Sequence, residues 1–155
     1  MHSRIYQVST KPISKEKYIG DFDVPEWFIG NIADYTSAMT DREGDIENLA
    51  SCLKSVSSFN DEDLSLTFNE DVTPYFNGLY DEFVKAANEL VKTSFEQFAH
   101  NSLWPTLYNL QAAYNDKYDV YIYDEDGFLH TLSEFMRELK GGETYYFGAT
   151  IDYHY

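Results

Sequence analysis

The sequence predicts an α+β fold: one domain over residues 1–155, with a single mixed or antiparallel sheet of about four strands packed against a long helical hairpin and two shorter helices. Three observations lead there. Hydrophobic periodicity alternates between about 2 and about 3.6 residues in the order β, α, β, α, α, β, α, β. A length of 155 residues suits one domain. Finally, 43% hydrophobic and 17% aromatic residues, with 14 Tyr, 11 Phe and 2 Trp, supply enough apolar surface to offset the entropy of ordering the chain, which argues against disorder.

Arg4 to Ser9 reads as a short strand carrying Ile5 and Val8. Lys11 to Asn31 contains Pro12, Gly20, Pro25 and Gly30 around Trp27, Phe28 and Ile29, and reads as an ordered loop pinned by those apolar residues. In Asp41 to Lys54, the spacing of Ile46, Leu49, Ala50 and Leu53 is a helical stripe, and the early acids suit a helix N-terminus. Cys52 lies within that stripe and is expected to be a small buried residue. Leu64, Leu66 and Phe68 alternate with polar residues as in a half-buried strand.

Thr73 as N-cap and Pro74 at the first helical position open a long core helix through Phe76, Leu79, Phe83, Leu90, Phe95 and Phe98. A second helix from about Ser102, with Leu103, Leu107 and Leu110, completes the hairpin. Tyr118 to Tyr123 reads as a strand ended by the turn Asp124-Glu125-Asp126-Gly127. Thr131 and Glu134 form a capping-box pattern that opens a short helix, stopped at Gly141-Gly142. A last strand carries Tyr145, Tyr146, Phe147, Ile151 and Tyr153.

No catalytic, cofactor or metal residue is assigned. Asp124, Asp126 and Gly127 imitate part of an EF-hand loop, but that register puts Ile122 and Ser133 where carboxylates are required. His2, His100, His130 and His154 form no i, i+4 pair, and His130 reads as a core or helix-start residue. There is no G-x-S-x-G elbow, no G-x-G-x-x-G and no P-loop. One cysteine excludes an internal disulfide. MHSRIYQVST lacks a hydrophobic signal region and no apolar stretch is long enough to span a bilayer, so a cytoplasmic location is expected.

Charge carries the functional expectation. With 27 Asp+Glu against 11 Lys+Arg, the net charge is −16, distributed as +3 over residues 1–17, −13 over 18–84, 0 over 85–115 and −6 over 116–155. Such a chain is ill suited to contact nucleic acid or an anionic membrane directly. A solvated acidic face that keeps a tyrosine-rich protein soluble is one explanation. The other is a surface complementary to a basic protein, such as a nuclease or other nucleic-acid-binding protein, whose groove accepts carboxylates in place of phosphates. Its candidate contacts are Asp41, Glu43, Asp45, Glu47, Asp61, Glu62, Asp63, Glu70 and Asp71, with Asp124, Glu125 and Asp126 as a second patch.

In size and acidity the chain is similar to the DNA-mimicking antirestriction and anti-CRISPR proteins and to nuclease-immunity proteins; its motifs identify no family. Two alternatives belong to other classes. One is a small hydrolase with a carboxylate pair beside Trp27, Phe28 and Trp104; the other is an oligomeric structural module in which the strand Tyr145–Tyr155 pairs across a homodimer.

Overall fold

The computed structural model describes all 155 residues, and its sheet is organised around the last strand. This strand, β7 (Thr144–His154), pairs antiparallel with β1 (His2–Ser9) from His2↔His154 to Ser9↔Tyr146. Beyond β1 lie β5 (Tyr121–Tyr123), parallel to it, and β6 (Leu129–Thr131), antiparallel to β5 at one edge. Across β7, β4 (Ser65–Phe68) pairs with its beginning and β2 (Tyr35–Ser37) with its end, while β3 (Ser57–Asn60) joins β4 in a hairpin at the other edge.

The sheet is mixed and has seven strands rather than about four. The additional strands β2, β3 and β6 are only three or four residues long, too short for alternation to register. They form because β7, β4 and β5 each present an unpaired edge. β7 is paired by β1 on one side and by β4 and β2 at the two ends of the other, so Tyr145–Tyr155 is not free over its length to pair across a dimer.

Each face of the sheet has its own core. On one face, α1 (Arg42–Leu53) inserts Ile46, Leu49, Ala50 and Leu53 against Tyr6, Val8, Leu66, Phe68 and Phe147, and α5 (Leu132–Glu138) adds Leu132 and Met136. Asp41 caps α1 by accepting from Gly44 N–H at 3.4 Å. The Thr131–Glu134 capping box opens α5, with reciprocal bonds of 3.0 and 3.2 Å. On the other face, Ile5, Tyr121, Ile151 and Tyr153 pack against Val24, Phe28 and Ala33 of the long loop. Phe28 is fully buried, its ring meeting Tyr121 and Tyr153 edge-on at 4.9 and 5.1 Å. Trp27 and Ile29 remain exposed, so Phe28 alone is the pin.

A bulge lets β7 serve both faces. The register with β1 shifts between Tyr6↔Thr150 and Val8↔Phe147, so Phe147 and Thr150, three apart, face the same side. The Gln7 side chain fills the irregularity: its Oε1 accepts from Ala149 N–H at 3.0 Å and Ile19 N–H at 3.2 Å, and its Nε2 donates to Lys17 carbonyl at 2.9 Å. A Cβ at Gly148 would overlap the Gln7 side chain, which explains the glycine. In the stretch of β7 between its β4 and β2 pairings, Arg42 donates to the Phe147 and Gly148 carbonyls.

The helical segment departs furthest from expectation. The stretch Thr73–Phe76 is a 3-10 turn, α2 spans Asn77–Val91, α3 Phe95–His100 and α4 Trp104–Asn115. One long helix is excluded by a capping box at Ser94 and Gln97, which starts α3 afresh. The antiparallel pair α2 and α4 is not core-building: Ala86 is the only buried residue in the three helices. Arg137 of α5 fastens it to the sheet module, donating to Tyr114 carbonyl at 2.7 Å and lying over the Tyr114 and Phe76 rings.

Substituting Gln7→Leu removes partners from two amides and a carbonyl, and is expected to cost about 3 kcal/mol in urea unfolding. Gly148→Ala should be destabilising alone and much less so beside Gln7→Ala; strictly additive effects would contradict the overlap described.

Candidate functional site

An acidic cleft of about 420 Å³ lies where the end of β1, the β5–β6 turn, α5 and the start of β7 meet. Asp124, Glu125, Asp126, Glu138 and Glu143 line it, against the single lysine Lys140, with His130 and the rings of Phe135 and Tyr145. Its carboxylates divide by task. Asp124 builds the turn: its Oδ1 accepts from Asp126 and Phe128 N–H at 3.0 and 2.8 Å, and His130 Nε2 donates to Oδ2 at 2.9 Å. Gly127 supplies the positive φ of 84° that the turn requires. Glu125 ties this turn to β1 by accepting from the Ser9 hydroxyl at 2.8 Å and from Thr10, and these donors hold its carboxyl below the usual range.

Asp126, Glu138 and Glu143 are left to face solvent or a ligand, since none is paired with Lys, Arg or His. Glu143 accepts from the Tyr145 hydroxyl at 3.0 Å. Burial first, then that hydrogen bond and the charges of Glu143 and Glu125, push the Tyr145 hydroxyl up to about 12. Burial leads, and the carboxylates of the cleft add to it.

The second predicted patch thus sits together in one cleft, joined by Glu138 and Glu143. The signal for Glu143 was the double glycine. Gly141 lies so close to the Glu70 backbone that a Cβ would overlap it, and Gly142 has a φ of 80°. The turn between α5 and β7 can therefore fold back and carry Lys140 and Glu143 to the rim, with Glu70 packed behind it.

The first patch is more scattered. Glu43 and Glu47 are exposed on α1, and Asp61 and Glu62 at the β3–β4 turn. Asp41 is spent as the helix cap, and Asp63 accepts from Ser65 hydroxyl at 2.6 Å. Asp71 caps the Thr73 turn, whose hydroxyl and N–H hold its carboxyl below the usual range. Asp45 is half-buried and paired to Arg4 Nε at 3.0 Å. Cys52, expected to be buried, is exposed on α1. His130 is half-buried in β6, immediately before the Thr131 cap of α5, so it stands at a helix start and not in the core.

Another cleft, of about 400 Å³, is lined by Tyr108, Tyr118 and Tyr155 together with Asp116 and Asp119. Its two carboxyls are engaged separately. Asp116 accepts from Tyr75 hydroxyl at 3.5 Å and is raised mainly by burial, while Asp119 accepts from Val120 N–H at 2.9 Å. Neither cleft contains Phe28 or Trp104, and Trp27 is in a third, smaller depression, so the three aromatics do not form one pocket. No group of His, Cys, Asp and Glu is arranged to hold a metal ion, and no helix is long and apolar enough to cross a membrane. No family model, curated protein or solved structure matches the chain.

The Tyr145 hydroxyl yields a pH prediction. A phenol raised in the fold stabilises it below the ordinary value of about 10 and loses that contribution as pH rises through about 12. Glu143→Gln removes two of the causes, so the ultraviolet titration signal lost in Tyr145→Phe should move toward pH 10. An unmoved midpoint would show that Glu143 exerts no field there.

Proposed function

We propose that the chain is a non-catalytic protein-binding module that takes a basic protein as its partner, with the cleft around Asp126, Glu138 and Glu143 as its centre. The observation that carries this reading is five carboxylates against one lysine in a concavity walled by Phe135 and Tyr145. An arginine or lysine side chain entering there would meet unpaired carboxylates for charge-assisted hydrogen bonds and aromatic rings for its cationic face. Glu43, Glu47, Asp61 and Glu62 extend the acidic field beyond the cleft and would steer the approach.

A groove evolved for phosphates is a fitting partner surface, because regularly presented carboxylates satisfy the same arginines and lysines. Under this reading the protein inhibits a nucleic-acid-binding enzyme by occupying that groove. A hydrolase is less well supported, because Trp27, Phe28 and Trp104, the aromatics expected beside its carboxylate pair, do not share a pocket.

Binding of a labelled oligoarginine peptide to the full chain tests the site. Affinity should fall about tenfold or more between low and high salt, and the combined change Asp126→Asn, Glu138→Gln and Glu143→Gln should weaken it about tenfold at low salt. Binding indifferent to both would refute the cleft as a cation site.

A further inference from the structure

We infer that the free end of the helical hairpin, where α2 gives way to α3 and α4 begins, is an interface for a second copy of this chain. The chain order places Val91 at the end of α2, Phe95 and Phe98 on α3, and Trp104 and Leu107 at the start of α4, all at that one end. All five are exposed, Val91 and Phe95 to 84% and Phe98 and Trp104 to 71% and 66%. Taking about 200 Å² for each aromatic side chain, the five present on the order of 600 Å² of largely apolar surface. That is about three quarters of the roughly 800 Å² each partner buries in a standard interface, and at the top of the range for the largest apolar patch of a monomer.

Charge decides the occupant. Between Gln97 and Asn115 there is no Asp, Glu, Lys or Arg, and residues 85–115 are neutral in a chain of net charge −16. A basic partner finds only Glu96 on this end, beside Lys92. Two copies of the chain, each carrying −16, oppose like charges over most of their surface, and on this neutral end they can approach without doing so. Lys92 and Glu96, the two charges nearest the aromatics, are of opposite sign, so a two-fold pairing can set each against its complement. The interface leaves the acidic cleft of each copy free, because the cleft is built from α5, β1, the β5–β6 turn and β7.

Analytical ultracentrifugation of the full chain over a range of micromolar concentrations tests this. The expected result is a concentration-dependent mass rising to twice 18.0 kDa, with association strengthened by salt as the residual repulsion is screened. That salt response is opposite in sign to the one expected for oligoarginine binding, so the two proposals fail separately. Phe95→Glu with Phe98→Glu should weaken association about 100-fold while far-ultraviolet circular dichroism stays unchanged. If that variant does not fold, Trp104→Ser, at another exposed site, provides the same comparison. A monomer at every concentration and salt level would overturn the inference, including one that instead binds neutral phosphatidylcholine vesicles; so would a dimer indifferent to these substitutions.

Discussion

One buried amide side chain holds the two halves of this fold in register. Gln7 sits on β1 opposite the bulge in β7, where the ladder would otherwise leave Ala149 N–H unpaired. A buried amide without a partner costs on the order of 1–3 kcal/mol, so the bulge is tolerable only with an acceptor in place. The same side chain holds Lys17 and Ile19, which anchors the loop that covers the second face. Through the bulge, β7 presents Phe147 to the first core, and Ile151 and Tyr153 to the second. Strand order, loop position and the division into two cores all lean on this junction.

A shortage of cations shapes the rest. All three arginines are committed to internal stitching: Arg4 to Asp45 and Asp152, Arg42 to the β7 carbonyls, and Arg137 to the C-terminal end of α4 and its rings. The remaining cations are lysines, and only Lys85 forms an ion pair, with Glu82. Most carboxylates are therefore either consumed as caps and turn builders, like Asp41, Asp71 and Asp124, or left without a counter-charge, like Asp126 and Glu138. The cleft is acidic because the arginines that could neutralise it are fixed elsewhere in the fold.

The molecule thus separates its two kinds of surface. The acidic clefts and turns belong to the sheet module, while Phe95, Phe98 and Trp104 stand exposed on a helical segment that is neutral over residues 85–115; Phe22, Trp27 and Phe128 are exposed on the sheet module. Such separation lets a charged contact and an apolar contact operate on one small chain without interfering, since ionic strength acts on them in opposite directions.

Wherever the physics is local, the residues spelled out the structure. The Thr131–Glu134 box, the stripe of α1, the turn at Asp124–Gly127 and the strands β1, β4, β5 and β7 were legible because capping, periodicity and turn chemistry act over a few residues. The break at Ser94 was written in the same language as the box at Thr131, but the apolar period running across it concealed it. Beyond that, periodicity identifies a face and not what covers it. Hence Phe95 and Phe98 looked like core residues and are exposed, and Cys52 looked buried and is not. The short strands β2, β3 and β6 and the meeting of Glu138 and Glu143 with the Asp124–Asp126 turn depend on contacts between residues far apart in the chain. By itself, therefore, the sequence determined an acidic α+β chain with its helix caps, turns and principal strands. Only the tertiary structure decided which carboxylates share a cleft and which aromatics lack a cover, because both depend on what the fold places opposite each residue.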